Sequence, residues 1–147
     1  MGWIDDIQGE TIALDTAPLI YFIEEHPAYI EQVQCFFEGM AKDRFIVVTS
    51  TITLLEVLVH PLRRGQQKLA CEYRDILLHS QLTTLEISHE ISERAAQLRA
   101  GYGIRTPDAL QIGTAISAGA KWFFTNDTGL PKIPNIRYLT LGSIADG

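Results

Sequence analysis

The chain has 147 residues, 46% hydrophobic and 20% charged, with 12 basic and 18 acidic side chains and a formal net charge of −6. That size suits one domain, and the balance excludes intrinsic disorder, collagen-like fibre and low-complexity repeats. No apolar run approaches the roughly 20 residues that cross a bilayer, and the acidic surplus opposes nucleic-acid binding unless acids are gathered around cations, which invert the local field.

Met1 to Asp6 has neither the basic start nor the apolar stretch of a secretory signal, and Asp6 stands where a myristoylation start wants Ser or Thr. A cytoplasmic protein is the expectation. Residues 1–10 form an N-terminal extension whose Trp3 and Ile4 can pack on a core. Thr11 to Leu14 is a first strand, and Pro18 then suits the first turn of a short helix reaching about Glu24. Ile30, Val33, Phe36, Phe37 and Met40 make an apolar stripe at helical spacing.

Phe45 to Val48 is a second, continuously apolar strand, and Thr49, Ser50 and Thr51 offer N-caps for a helix carrying Ile52, Leu55, Glu56 and Val59. Pro61 is expected to interrupt it. Gln66 to His79 forms another helix, Leu82 to Ile87 a third strand, and Ile87, Ile91, Ala95, Leu98 and Tyr102 a helical stripe. Gly101 and Gly103 end that helix. Thr106, Pro107 and Asp108 open the next as cap, first residue and first-turn acid, and it runs to about Gly119. Trp122 to Thr125 is a fourth strand closed by an Asn126–Gly129 turn, and Ile136 to Leu141 a fifth.

Strands alternating with helices predict a three-layer α/β/α fold with a mostly parallel central sheet of about five strands, within a single domain over 1–147. Cys35 and Cys71 form no ligand pair, and His26, His60, His79 and His89 are too scattered for structural zinc. The acids are more informative. Ligands of open parallel sheets sit outside the carboxyl ends of the strands, where Asp15 follows the first strand and Asp127 the fourth. Asp108 enters from that edge in the first turn of a helix, and Glu56 lies two turns into the helix after the second strand. Singly, each has an ordinary explanation. Asp108 complements a helix dipole, Glu56 answers Thr53 in a capping box, and Asp15 and Asp127 cap turns. Those explanations do not account for four acids on one edge. Hard oxygen donors without His or Cys suit Mg²⁺ or Mn²⁺.

The motifs Ile12-Ala13-Leu14-Asp15-Thr16-Ala17-Pro18-Leu19-Ile20-Tyr21, Thr53-Leu54-Leu55-Glu56-Val57, Thr106-Pro107-Asp108-Ala109-Leu110-Gln111-Ile112 and Phe124-Thr125-Asn126-Asp127 together resemble the PIN-domain family, and within it the VapC-type toxin ribonucleases of toxin–antitoxin pairs. Ala17 departs from the Asn that many members carry. The resemblance implies metal-dependent cleavage of RNA. Asp15 and Asp108 would be the principal ligands of Mg²⁺ or Mn²⁺, Asp127 would serve a second position or a water, and Glu56 would orient a water or accept a proton. Thr16, Thr125 and Asn126 are candidates to orient the carboxylates, with turn and strand-end capping as their alternative. Arg63, Arg64, Lys68 and Arg105, with Arg94 and Arg99 behind them, could guide RNA phosphates, or form a solvated face.

The resemblance also implies a homodimer and a cognate antitoxin protein. The Ile30 to Phe37 stripe could meet that antitoxin or face the core, and the core is favoured. Other classes fit less well. Ala17 removes the second acid of a dehalogenase-type phosphatase, Asp5 and Asp6 precede the strand that a receiver domain's acids must follow, and no GxGxxG follows Leu14. A PIN-like module that binds RNA or protein without cutting is the remaining alternative.

Overall fold

A computed structural model describes residues 2–142. Among them the elements are α1 (Trp3–Asp6), β1 (Thr11–Leu14), α2 (Thr16–Ile23), α3 (Ile30–Ala41), β2 (Ile46–Ser50), α4 (Thr51–Arg63), α5 (Gln67–Leu78), β3 (Thr83–Leu85), α6 (His89–Tyr102), α7 (Thr106–Ser117), β4 (Trp122–Thr125) and β5 (Arg137–Thr140). The sheet has five strands in the order β3-β2-β1-β4-β5, and every pairing is parallel. The expected three-layer α/β/α fold is therefore observed, with a sheet wholly rather than mostly parallel.

Alternation along the strands divides the core in two. Ile12, Leu14, Val47 and Phe124 face a layer built from α1 to α5, with Val33, Phe36, Phe37 and Met40 of α3 at its centre. Ala13, Val48 and Phe123 face α6 and α7 through Ala95, Leu98, Ala109 and Ile112. Val33, Phe36, Phe37 and Met40 of the α3 stripe are thus core, with Ile30 partly buried against them. Trp3 and Ile4 pack on the first cluster, and Ile7 is fully buried, so the N-terminal extension closes one flank of the fold.

Three local expectations are corrected. Pro61 does not interrupt α4, which runs on to Arg63. At that place a proline forfeits only one hydrogen bond, to Val57, within the last turn, and its ring is buried. Thr106 is not the cap of α7; Arg105 occupies that position in extended conformation without a side-chain bond, leaving Thr106 and Pro107 in the first turn. The second strand continues through Thr49 and Ser50, because Ser50 pairs with Leu85 of β3 before capping α4 through its hydroxyl.

Asp108 is carried by α7, which packs against α6. Gly103 takes a left-handed φ of 69° and ends α6, which a residue with a side chain adopts only at a cost. Gly113 lets α7 approach α6 so closely that a Cβ there would lie 3.2 Å from the Ile91 carbonyl oxygen.

Candidate active site

Strand order reverses around β1 and β4, so their carboxyl ends form the switch-point crevice at which open α/β sheets bind ligands. Asp15 follows β1 and caps α2 in extended conformation, its side chain accepting the Thr16 N–H. Asp127 stands two residues beyond β4, Asp108 in the first turn of α7, and Glu56 in the middle of α4. All four acids line one cleft of about 420 Å³, shared with Thr16, Ala17, Arg105, Gln111 and Asn126.

Each carboxylate is engaged by a donor from the chain. Asp15 Oδ2 accepts the Thr125 hydroxyl at 2.7 Å and Oδ1 the Thr16 N–H at 2.9 Å. Glu56 Oε1 accepts the Thr16 hydroxyl at 2.6 Å. Asp108 Oδ2 meets Arg105 Nη2 at 3.4 Å, and Asp127 Oδ1 accepts the Gly129 N–H at 2.8 Å. Burial pushes the Asp15 carboxyl above the usual carboxylate range; the Thr125 and Thr16 bonds pull it back, while the charges of Asp108 and Glu56 push it up again. The cleft therefore gathers negative charge, and among the described residues Arg105 is the one cation that lines it.

The expected roles divide on this geometry. Thr16 and Thr125 do hold carboxylates. Asn126 does not: its amide donates to the Tyr21 hydroxyl at 3.0 Å, tying the β4 turn to α2. Glu56 forms no capping box with Thr53, because α4 begins at Thr51 and Thr53 lies inside it. Arg63, Arg64 and Lys68 are exposed around the α4–α5 junction and do not line the cleft. Arg94 pairs with Glu90, and Arg99 holds the Ile104 carbonyl.

Sequence reasoning passed over one part of the site. Gln111 is buried one turn beyond Asp108, its carboxamide bonded to Thr53 at 2.7 Å and Ser50 at 2.7 Å. A glutamine on the core-facing side of a helix, among Ala109, Ile112 and Ala115, was the available signal, since a buried amide must find partners.

The donor set fits a hard divalent cation: carboxylate oxygens, the Thr16 hydroxyl and the Gln111 and Asn126 amides line the cleft, with no His or Cys among them. Among the described residues no three His, Cys, Asp or Glu side chains are grouped closely enough to hold a metal ion as they stand.

The family profile for the PIN domain matches residues 12–136. No curated protein matches the sequence. Among solved structures, VapBC2 of Rickettsia felis bound to a promoter DNA fragment aligns with a TM-score of 0.71 at 23% identity, over 88% of this chain and 98% of that one. A toxin–antitoxin complex from Klebsiella pneumoniae aligns with a TM-score of 0.66 at 23% identity, over 88% and 97%. The sarcin–ricin-loop-cleaving toxin VapC20 of Mycobacterium tuberculosis gives a TM-score of 0.65 at 17% identity, over 80% and 91%. These likenesses extend to the fold, whereas the profile match runs from β1 to the approach to β5 and takes in Asp15, Glu56, Asp108 and Asp127. The chain belongs to the PIN-domain family.

Proposed function

We propose that the protein is a metal-dependent endoribonuclease, and the toxin of a type II toxin–antitoxin pair. The observation that carries this reading is the convergence of four carboxylates from four separate elements on one cleft at the sheet's switch point. A set of structural caps would have no reason to meet there. The toxin assignment draws on the Rickettsia and Klebsiella complexes, which place similar folds beside antitoxins.

Asp15 and Asp108 would hold Mg²⁺ or Mn²⁺, with Asp127 and Glu56 completing the set. A bound divalent ion supplies Lewis acidity at a phosphate and makes water a stronger acid. The chain's own contributions follow from its hydrogen bonds. Thr125 and the Thr16 N–H fix the plane of the Asp15 carboxylate. Thr16 holds one oxygen of Glu56, which leaves the carboxylate directed as a proton acceptor. Arg105, largely exposed beside Asp108, would receive a phosphate of the RNA backbone.

Two copies would pair through α4, where Leu55, Val59 and Leu62 are exposed at spacings of four and three residues, a helix-pairing stripe. The test of the activity is cleavage of RNA in Mg²⁺ or Mn²⁺ by the wild type, with Asp15→Asn and Asp108→Asn as comparisons. Loss of cleavage in both folded variants supports the reading. RNA binding without cleavage by the wild type would identify a non-cutting PIN-like module instead.

A further inference from the structure

The buried polar groups beneath Glu56 allow each hydroxyl proton to be assigned. A threonine or serine hydroxyl has one proton to give. Thr49 gives its own to the Leu14 carbonyl oxygen at 2.8 Å, since a carbonyl cannot donate. In the 2.8 Å contact between Thr49 and Thr53, Thr53 must then be the donor. With that proton spent, Thr53 can only accept from the group that faces it at 2.7 Å, which must be the Gln111 amino group. This fixes the orientation of the carboxamide. Gln111 Oε1 accordingly faces Ser50, which donates to it at 2.7 Å while accepting the Ile52 N–H at 3.2 Å.

The same amino group stands 3.5 Å from the Thr16 hydroxyl oxygen. Thr53 lies 3.4 Å from that oxygen with no proton left to offer. Thr16 therefore sits between a donor behind and the Glu56 carboxylate in front, and its single proton goes to Glu56 Oε1 at 2.6 Å. The bonds run outward from Gln111 of α7 in two branches, one through Thr53 and Thr49 to the Leu14 carbonyl, the other through Thr16 of α2 to Glu56. Gln111, Thr53, Ser50 and Thr49 are at most 2% exposed, so water does not compete for their protons, while Thr16 and Glu56 stand at the open cleft.

We propose that Gln111 is a positioning residue: its carboxamide polarises a buried hydroxyl network so that Thr16 can only donate to Glu56, which locks the rotamer of that carboxylate at the cleft. The inference rests on the ribonuclease reading for its kinetic consequence, while its structural content stands apart from it. Gln111→Leu removes the donor behind Thr16 and frees that hydroxyl to turn away. Gln111→Glu preserves shape but sets an acceptor where the amino group stood, drawing the Thr16 proton off Glu56.

The experiment compares these variants with the wild type and Thr16→Val in RNA cleavage with Mn²⁺. The expected result is a kcat lowered about tenfold in both Gln111 variants with KM within about twofold, in the range typical of groups that orient metal-site ligands. The losses in Gln111→Leu and Thr16→Val should be non-additive in the double variant. Full kcat in Gln111→Leu, retention of activity in the isosteric Gln111→Glu, or strict additivity overturns the proposal while leaving the nuclease reading in place. A second readout needs neither metal nor cleavage. In the metal-free wild type the Gln111 carboxamide protons should exchange slowly, and the ¹³C resonance of Glu56 Cδ should shift in Gln111→Leu while that of Asp127 Cγ does not. Rapid exchange in the wild type overturns the proposal even if every Gln111 variant fails to fold. If the wild type cuts no RNA, the nuclease reading falls and these spectra alone decide the network.

Discussion

Thr125, the last residue of β4, donates its hydroxyl to Asp15 Oδ2 at 2.7 Å and accepts the Asp127 N–H at 3.0 Å. One fully buried hydroxyl thus ties together two acids that are far apart in the chain, and sets the spacing between the ends of β1 and β4.

That tie does not neutralise Asp15, whose pKa remains raised, chiefly by burial. An acid that binds its proton more tightly when folded favours the folded state below its unfolded pKa. That contribution is lost as pH rises through the unfolded value and up to the raised folded value. At pH 7 the ionised carboxylate is therefore a net cost in the metal-free protein, and Asp15→Asn should melt higher than the wild type. The difference should shrink as pH falls into the carboxyl range. Added Mn²⁺ should raise the wild type's Tm more than the variant's. Thermal unfolding in chelator, from pH 3 to pH 8, measures this; a variant less stable at pH 7 than the wild type would contradict the sign.

The α6–α7 contact makes a second prediction through two glycines. A Cβ on Gly113 would meet the backbone of Ile91 at 3.2 Å and of Ala95 at 3.4 Å, whereas Gly101 on α6 has open space around it. Overpacking costs about 1–3 kcal/mol, and the helix preference for alanine returns about 1 kcal/mol. Gly113→Ala should therefore lose up to about 2 kcal/mol and shift α7, carrying Asp108 and Gln111 with it and lowering activity. Gly101→Ala should gain about 0.5–1 kcal/mol. Denaturant unfolding of both separates crowding from propensity; a gain in Gly113→Ala equal to that in Gly101→Ala would refute the close approach.

What the sequence disclosed follows the range of the forces involved. The limits of β1 and β4 and the buried face of α3 were legible because apolar periodicity and turn residues are local signals. Asp15, Glu56, Asp108 and Asp127 were legible because each is fixed relative to the end of an element that can be recognised. The partner of Glu56 was not, since Thr16 lies 40 residues away and the nearby Thr53 offered a plausible local cap. Gln111 escaped for the same reason: its bonds to Ser50 and Thr53 span 61 and 58 residues. Pro61 misled because a proline's cost depends on which turn of the helix it occupies, and Pro61 falls in the last turn of α4.

Arg105 separates electrostatics at the cleft from stability. Its side chain is 80% exposed and 3.4 Å from Asp108, and such a bridge is worth about 0–1 kcal/mol. Arg105→Ala should thus leave Tm nearly unchanged. If its guanidinium contacts a phosphate, RNA affinity should weaken uniformly across sequences, and the slope of log K against log salt should fall by about 0.7. Binding to unrelated single-stranded RNAs between low and moderate salt reads both quantities, and an unchanged slope would remove Arg105 from the RNA path.

The stripe on α4 carries the remaining prediction. Leu55, Val59 and Leu62 are 61%, 43% and 57% exposed, an apolar row that a monomer would leave in water at a cost of about 25 cal/mol per Å². In an antiparallel pair related by a twofold axis, the row of one copy would cover the row of the other. Leu62→Glu should convert a dimer into a monomer without unfolding it, since Leu62 makes no part of either core cluster. Sedimentation of wild type and variant at micromolar concentration reads the outcome. A wild type that sediments as a monomer would discard the pairing. A dimer unaffected by Leu62→Glu would place the interface elsewhere on the molecule.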